Sequence, residues 1–260
     1  LSSIDFSNLD TSNVVLMTGM FNCCNNLTNL DLSTLNTSNV VGMDSMFAEC
    51  ASLTSLDLTP LDTSNVTTMS MMFYNCNGLT SLNLSSLDTH KVTNMGGMFN
   101  DCRGLTNLDL THLDTSNVTD MFSMFRGCSG LTALDLSHLD TRNVTSMTSM
   151  FYDCSGLTTL DLSSLNTQKV MDMGYMFFGC TSLTTLNLSF LDTQKVTGMS
   201  RMFDDCDKLT SLSLGEKFAF VGSEYNLPSG TWYASDGTAY TSNGKSCTIP
   251  NNKADTYTRR

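Results

Sequence analysis

The chain has 260 residues and carries 13 Lys and Arg against 25 Asp and Glu, which gives a formal net charge of −12. This acidic balance argues against a nucleic-acid partner, because binding to phosphates needs clustered basic side chains. Hydrophobic residues make up 40% of the chain, enough for a core. No stretch approaches the ~20 consecutive apolar residues that a membrane span requires.

The sequence repeats with a period of 26 residues. The dipeptide Met-Phe recurs eight times at this step, with its Met at positions from Met20 to Met202, without an insertion or a deletion. A Cys keeps the same step from Cys24 to Cys206. A fixed period of this length predicts a solenoid in which each unit forms one coil and stacks on the next.

Each unit contains the pattern of a strand, a polar turn and a short helical segment. In the third unit, Leu56 and Leu58 alternate with polar residues, which is the period of a half-buried strand. Residues 62–65 have turn and capping chemistry. Apolar residues from Val66 to Cys76 follow at three- and four-residue spacing, which predicts a helical segment of about two turns at most. We therefore expect an α/β solenoid: a right-handed, leucine-rich-repeat-like stack of about eight coils, with one parallel sheet and short helical segments opposite.

The two ends depart from the repeat. The chain starts inside a unit at Leu1, without an initiator Met or a signal segment, so we expect an excised piece of a longer protein. The repeat stops after Leu214, and the rest of the chain contains a hairpin pattern around residues 235–237. We expect a solenoid over 1–214 and a β-rich cap over 215–260 that covers the apolar edge of the last coil.

The unit is spelled out from Leu53 to Cys76, where the chain reads L-T-S-L-D-L-T-P-L-D-T-S-N-V-T-T-M-S-M-M-F-Y-N-C. This stretch resembles the repeat of the BspA-like leucine-rich repeat family of bacterial surface proteins. The likeness covers nearly everything before Gly215, and the tail around Trp232 resembles segments that close such arrays. The resemblance implies a secreted or wall-attached protein, and adhesion for several members. It transfers no binding residue, because the recurring positions are scaffold.

The Cys column has three interpretations. Its members share an inward position beside Met-Phe, so we expect buried free thiols that act as small apolar residues. Stacked coils lie ~5 Å apart, so occasional disulfides between neighbours are an alternative, and a metal site is another. Cys23 and Cys247 lie outside the column and are expected to be the more reactive thiols. The Met columns, although thioethers are soft metal ligands, are interpreted as core, and we expect no cofactor.

Two Asp columns account for much of the charge. The first, from Asp10 to Asp192, always precedes Thr and is expected to accept backbone N–H groups at the turn. The second includes Asp109, Asp135 and Asp161 and is predicted to point outward from the sheet, where carboxylates about 5 Å apart repel each other. We interpret it as a solvated ladder, with a polar ligand face and a calcium site as alternatives.

The sequence predicts no enzyme. The three His occupy variable positions, and the chain has no Gly-rich phosphate loop, nucleophile elbow or metalloprotease motif. Function is instead expected in the columns that vary. On the predicted convex side, Tyr152 and Phe178 are column neighbours, and Tyr175 lies one helical turn before Phe178. Exposed aromatic clusters of this kind mark contact sites.

These patterns favour a non-enzymatic binding module at the bacterial cell surface or cell wall. We expect it to be a monomer that adheres to a host or neighbouring-cell surface protein, a matrix protein or a glycan. The candidate binding residues are Tyr152, Tyr175, Phe178, Asp109, Asp135 and Asp161. The alternative is a spacer or stalk that presents another domain, which the near-identity of the sheet columns favours.

Overall fold

The computed structural model describes residues 4–260, so the start of the chain at Leu1, inside a unit, lies outside the described residues. Successive units stack as coils, as the sequence predicts. Parallel bridges join equivalent residues of eight coils in one unbroken series, from Leu16 and Gly42 through to Gly198. The 26-residue period therefore corresponds to one turn of a solenoid.

The core lies inside the coils as columns of identical side chains. In the fourth coil, the Val92, Met95 and Phe99 side chains have no exposed area. The Phe rings form one stack from Phe21 to Phe203, with centroid separations of 5.6 to 6.1 Å. Burying each such side chain contributes roughly 1.5–3 kcal/mol, so the repeated columns are the main source of stability.

The predicted helical segments are wrong: none is present in residues 4–260. The same residues form consecutive turns, in which some backbone N–H groups donate within the turn and others donate to the next coil. The Met98 N–H donates to Met95 within the turn at 3.1 Å, whereas the Phe99 N–H donates to Met124 of the next coil at 3.0 Å. Bonds between coils thus replace the i→i−4 bonds of a helix. Two positions in each coil also have positive φ, among them Asp153 at 54°, which a right-handed helix does not accommodate.

The predicted single parallel sheet is present only in part. The described chain has five strands, β1 (Thr185–Leu188), β2 (Ser211–Leu214), β3 (Gly230–Tyr233), β4 (Ala239–Ser242) and β5 (Asp255–Arg259). Their order in the sheet is β1-β2-β5-β3-β4, and of these pairs only β1 and β2 are parallel. Earlier leucine segments keep the predicted alternating burial without forming strands, because most backbone bonds between coils lie in the turns.

Residues 215–260 pack on the last coil. Strand β5 pairs antiparallel with β2, which sets Tyr257 opposite Leu212. The Phe220 ring meets Phe203 edge-on at 6.4 Å, so it ends the stack of Phe rings. The predicted hairpin is the β3–β4 pair. These contacts cover the apolar end of the solenoid, while the division into 1–214 and 215–260 as separate units stays a prediction.

Each coil has two outer walls. We call the leucine segment the strand wall (residues 105–113 and their equivalents at steps of 26) and the segment with consecutive turns the turn wall (residues 119–129 and their equivalents). The Leu, Val, Met and Phe columns fill the space between the two walls.

Candidate functional site

Three of the predicted site residues meet on the turn wall. The rings of Tyr152 and Phe178 stack with centroids 4.4 Å apart and planes 6° from parallel. Tyr175 lies 6.3 Å from Tyr152 and 6.1 Å from Phe178. All three side chains are half-buried. The predicted proximity of this aromatic cluster (Tyr152, Tyr175 and Phe178) is therefore confirmed.

The repeat itself creates the cluster. Tyr152 and Phe178 occupy the same outward position in neighbouring coils, so the spacing between coils brings their rings into contact. Tyr175 lies at a position with φ of 58°, which turns its side chain out of the wall beside Phe178. Aromatic pairs of this geometry contribute ~0.5–1.5 kcal/mol beyond their burial, so the cluster also strengthens the stack of coils.

The structure adds Arg126 to the cluster. Its guanidinium carbon lies 4.2 Å from the centroid of the Tyr152 ring, a cation–π contact. Arg126 and Phe178 therefore cover the two faces of Tyr152 and leave its edge outward. Sequence reasoning did not include Arg126 among the candidates, although it occupies the same variable column as Tyr152, one unit earlier.

A groove of about 280 Å³ runs across several coils beside the cluster. Two carboxylates line it, from Asp101 and Asp153, which are two units apart in one column. Glycines fill the same column in the coil after each carboxylate: a Cβ at Gly127 would clash with the Asp101 carboxylate, and one at Gly179 with the Asp153 carboxylate. The missing side chains thus make room for the acidic ones.

The two carboxylates of this groove differ in their partners. Arg103 donates to the Asp101 carboxylate through Nε at 3.1 Å and through a terminal nitrogen at 2.9 Å, and these bonds raise the pKa of Arg103. The Asp153 carboxylate, by contrast, accepts no hydrogen bond and forms no ion pair within residues 4–260. Partial burial raises the pKa of Asp153; Arg126 lowers it, while the charges of Asp101 and Asp205 raise it further.

The other three candidates lie apart from the cluster, on the strand wall. Asp109, Asp135 and Asp161 each accept the backbone N–H two residues further on, from Thr111, Ser137 and Ser163, at 2.9 Å in each case. These hydrogen bonds lower the pKa of all three carboxyl groups. The carboxylates line two shallow depressions of about 370 and 620 Å³.

This second Asp column therefore has a structural role that the sequence analysis did not assign. The bond to the following residue is a turn of the Asx type, which Asn can form equally well. Asn83 and Asn187 make the same bond, at 3.0 Å. The acceptor role predicted for the first column is confirmed: Asp62, for example, accepts the Ser64 N–H at 3.0 Å.

The cysteine column contains free thiols. Seven of its members are buried, and each Sγ donates to a Phe carbonyl of the preceding coil, as from Cys102 to Phe73 at 3.0 Å. The first member, Cys24, is only partly buried; of the two outside the column, Cys23 is exposed and Cys247 is half-buried. Within the described chain, no group of three or more His, Cys, Asp or Glu residues is placed to hold a metal ion. Likewise, residues 4–260 include no helix that could cross a membrane.

Similar solved structures are leucine-rich repeat proteins of bacteria. A leucine-rich repeat protein of Bacteroides ovatus is 18% identical, with a TM-score of 0.44 over 86% of this chain and 71% of that chain. One from Eubacterium ventriosum is 20% identical, with a TM-score of 0.31 over 75% of this chain and 68% of that chain. A leucine-rich cell surface protein of Faecalibacterium prausnitzii is 17% identical, with a TM-score of 0.25 over 82% of each chain.

The sequence comparisons identify a family. No curated protein matches this chain. The profile of the DUF285 family, described as a Mycoplasma protein of unknown function, matches residues 2–107, 51–159 and 98–215. These overlapping matches follow the repeat along more than half of the sequence, and the chain therefore belongs to the DUF285 family.

Proposed function

We propose that this chain is a non-enzymatic binding module of the bacterial cell surface, which adheres to a partner protein through the aromatic cluster on its turn wall. The observation that carries the proposal is the stack of Arg126, Tyr152 and Phe178, with Tyr175 beside it. These residues differ from those at the equivalent positions of the other units. They lie on the outside of the coils, where the fold does not require a particular side chain.

The composition of the cluster suits a protein contact. Tyr and Arg are the residue types that most often dominate the binding energy of protein interfaces. Half-buried aromatic rings also lose little conformational entropy on binding, because their neighbours already restrict them. Tyr152 and Tyr175 keep partial exposure, so a partner can cover them and their hydroxyl groups.

The geometry favours a protein over a glycan. A sugar ring stacks on an aromatic face, and both faces of Tyr152 are covered, by Arg126 and by Phe178. A protein surface can instead pack against the ring edges and bond the hydroxyl groups. The proposed surface location rests on the resemblance of the 26-residue unit to bacterial surface repeats.

A binding array tests this proposal. The isolated chain would be applied to immobilised host-cell and matrix proteins and to a glycan array. We expect it to retain at least one protein, and we expect Tyr152→Ala to abolish that signal. Tyr74→Ala is the matched control, since Tyr74 occupies the same column three coils earlier and makes no aromatic contact within residues 4–260.

The alternative function, a spacer, has its own support in the uniform core. The stack of Phe rings continues through the solenoid at nearly constant separation, so the repeated scaffold suits a rod that holds another domain at a distance. Blank protein and glycan arrays would contradict the binding proposal and favour the spacer. Retention of a glycan alone would contradict the choice of a protein partner.

A further inference from the structure

The groove beside the aromatic cluster contains an incomplete copy of a motif that the chain completes elsewhere. In the fourth coil, Asp101 is held by Arg103 two residues later. Two units further on, Asp153 occupies the position of Asp101, but Ser155 occupies the position of Arg103. The Asp153 carboxylate therefore lacks the guanidinium that its equivalent has.

The surroundings of Asp153 increase the effect of this missing partner. The glycine at position 179 leaves room for the carboxylate, which lines the groove together with Asp101. Asp153 is exposed, and its pKa is raised first by partial desolvation and further by the charges of Asp101 and Asp205. Arg126 and Arg103 offset this rise in part without bonding the carboxylate, so its negative charge has no direct partner. A basic group of a partner would neutralise the Asp153 carboxylate, and the chain's net charge of −12 attracts such groups.

The neighbouring rings supply the apolar half of such a site. Arg126 already packs its guanidinium on Tyr152, which shows that this aromatic surface accepts that group. The methylene stem of an arginine can lie along ring edges while its head forms two parallel hydrogen bonds to a carboxylate. Lysine offers a point charge without that fork and is expected to bind less well.

We propose that the turn wall docks a basic segment of a partner protein, with one arginine head on the Asp153 carboxylate and its stem along the edges of Tyr152 and Phe178. This inference rests on the proposed binding function and names the chemistry of the partner at the same site. Because the groove carries carboxylates, it favours a basic segment over a second copy of this acidic chain.

Fluorescence anisotropy with a labelled hexapeptide of alternating Arg and Gly tests the docking. We expect binding that weakens with salt, weaker binding of the matched Lys peptide and none of the Glu peptide. Asp153→Asn should weaken binding by about tenfold, the effect of losing one charge-assisted hydrogen bond. Asp101→Asn is the control: it removes the same charge from the same column, where Arg103 already occupies the carboxylate, and should change binding less than about twofold.

A second variant keeps the test independent of any loss of structure. Ser155→Arg places an arginine two residues after Asp153, as in the Asp101–Arg103 pair, and should block the peptide without unfolding the exposed wall. Equal effects of Asp153→Asn and Asp101→Asn would show diffuse charge attraction and overturn the inference. No binding of the Arg peptide, with Tyr152-dependent binding retained on the protein array, would overturn the inference and leave the proposed function standing. If the array is blank as well, the proposed function fails too.

Discussion

The Thr115 hydroxyl bonds both backbone groups of Asp140 in the next coil. Its Oγ1 donates to the Asp140 carbonyl at 3.1 Å and accepts the Asp140 N–H at 2.8 Å. The same pair of bonds recurs from Thr11 onward, and every Thr in this column is buried. This Thr column therefore joins successive coils at the turn that the Asp side chains close.

Thr115→Val should destabilise the chain, because the substitution keeps the shape of the side chain and removes both hydrogen bonds. It leaves the N–H and the carbonyl of the partly buried Asp140 without their partner, and each such group costs about 1–3 kcal/mol where water cannot replace that partner. We expect the free energy of unfolding in urea to fall by roughly 2–5 kcal/mol. Thr119→Val, which removes an exposed hydroxyl, should stay within about 0.5 kcal/mol of the original chain. A similar small effect at Thr115 would contradict this role.

Leu56 and Thr115 show what the sequence could and could not reveal: the inward position of Leu56 was predictable, whereas the bonds of Thr115 to the next coil were not. The period of 26 residues predicted the stacking, the inward Leu positions and the stack of Phe rings, because burial leaves a visible hydrophobic pattern. The helical segments were predicted from the same pattern and are wrong, since burial at three- and four-residue spacing also fits turns bonded between coils. The Thr column was missed because a buried Thr looks like a polar turn residue until its partner in the next coil is known.

For the candidate site, too, the positions were predictable from the sequence and the side-chain contacts were not. The proximity of Tyr152 and Phe178 was predictable, because column neighbours must touch. The contact of Arg126 was equally available from its column, but its attraction to an aromatic face depends on a side-chain conformation. The difference between Asp101 and Asp153 was available as Arg103 against Ser155 at equivalent positions, but the bonds from Arg103 to the Asp101 carboxylate depend on a side-chain conformation.

Thiol labelling should separate two classes of cysteine. In the native chain we expect reaction at Cys23 first, since it is exposed, and more slowly at the partly buried Cys24 and Cys247. The seven buried column thiols should react only in denaturant, which raises the count to the full 10 Cys of the chain. Mass spectrometry after alkylation measures both counts. A denatured count near zero would show that the column is oxidised.

Alkaline pH should destabilise the fold through the same column. Burial raises the pKa of the thiols from 9.0, to about 12 for Cys50, Cys128 and Cys206. Above their ordinary pKa these thiols ionise in the unfolded chain while the folded chain keeps them protonated. The unfolded state then binds fewer protons, so their contribution is fully present below pH 9.0 and is lost as the pH rises toward about 12.

Urea unfolding at several pH values between 8 and 10 measures this loss. Each buried thiol contributes a slope of up to about 1.4 kcal/mol per pH unit once the unfolded chain is ionised. Cys102→Ala removes one such group and should reduce the slope by nearly that amount at pH 10 and by less at pH 8, whatever its effect on stability at neutral pH. An unchanged slope would contradict the assignment of the effect to the buried thiols.

Phe99→Ala should interrupt the core in the middle of the solenoid. The ring lies 5.9 Å from both Phe73 and Phe125, so its removal leaves a cavity and takes a stacking partner from each. We expect a loss of about 3–5 kcal/mol in the free energy of unfolding. Phe190→Ala is the control, because that ring is 53% exposed, and it should change stability by less than about 0.5 kcal/mol. Comparable losses from both variants would contradict a specific contribution of the stacked Phe rings to stability.

Deletion of residues 215–260 should cause association. It removes β5 from the edge of β2 and uncovers the buried Leu212, Leu214 and Phe203 side chains. An open strand edge beside apolar surface pairs readily with another chain, so we expect oligomers or aggregates in size-exclusion chromatography with light scattering. Removal of one interior unit, residues 105–130, is the control: it preserves the register of all columns and both ends, and should leave a shorter monomer because each coil contacts mainly its neighbours. A well-behaved monomer after the terminal deletion would show that 215–260 is an appendage, and the capping role would have to be abandoned.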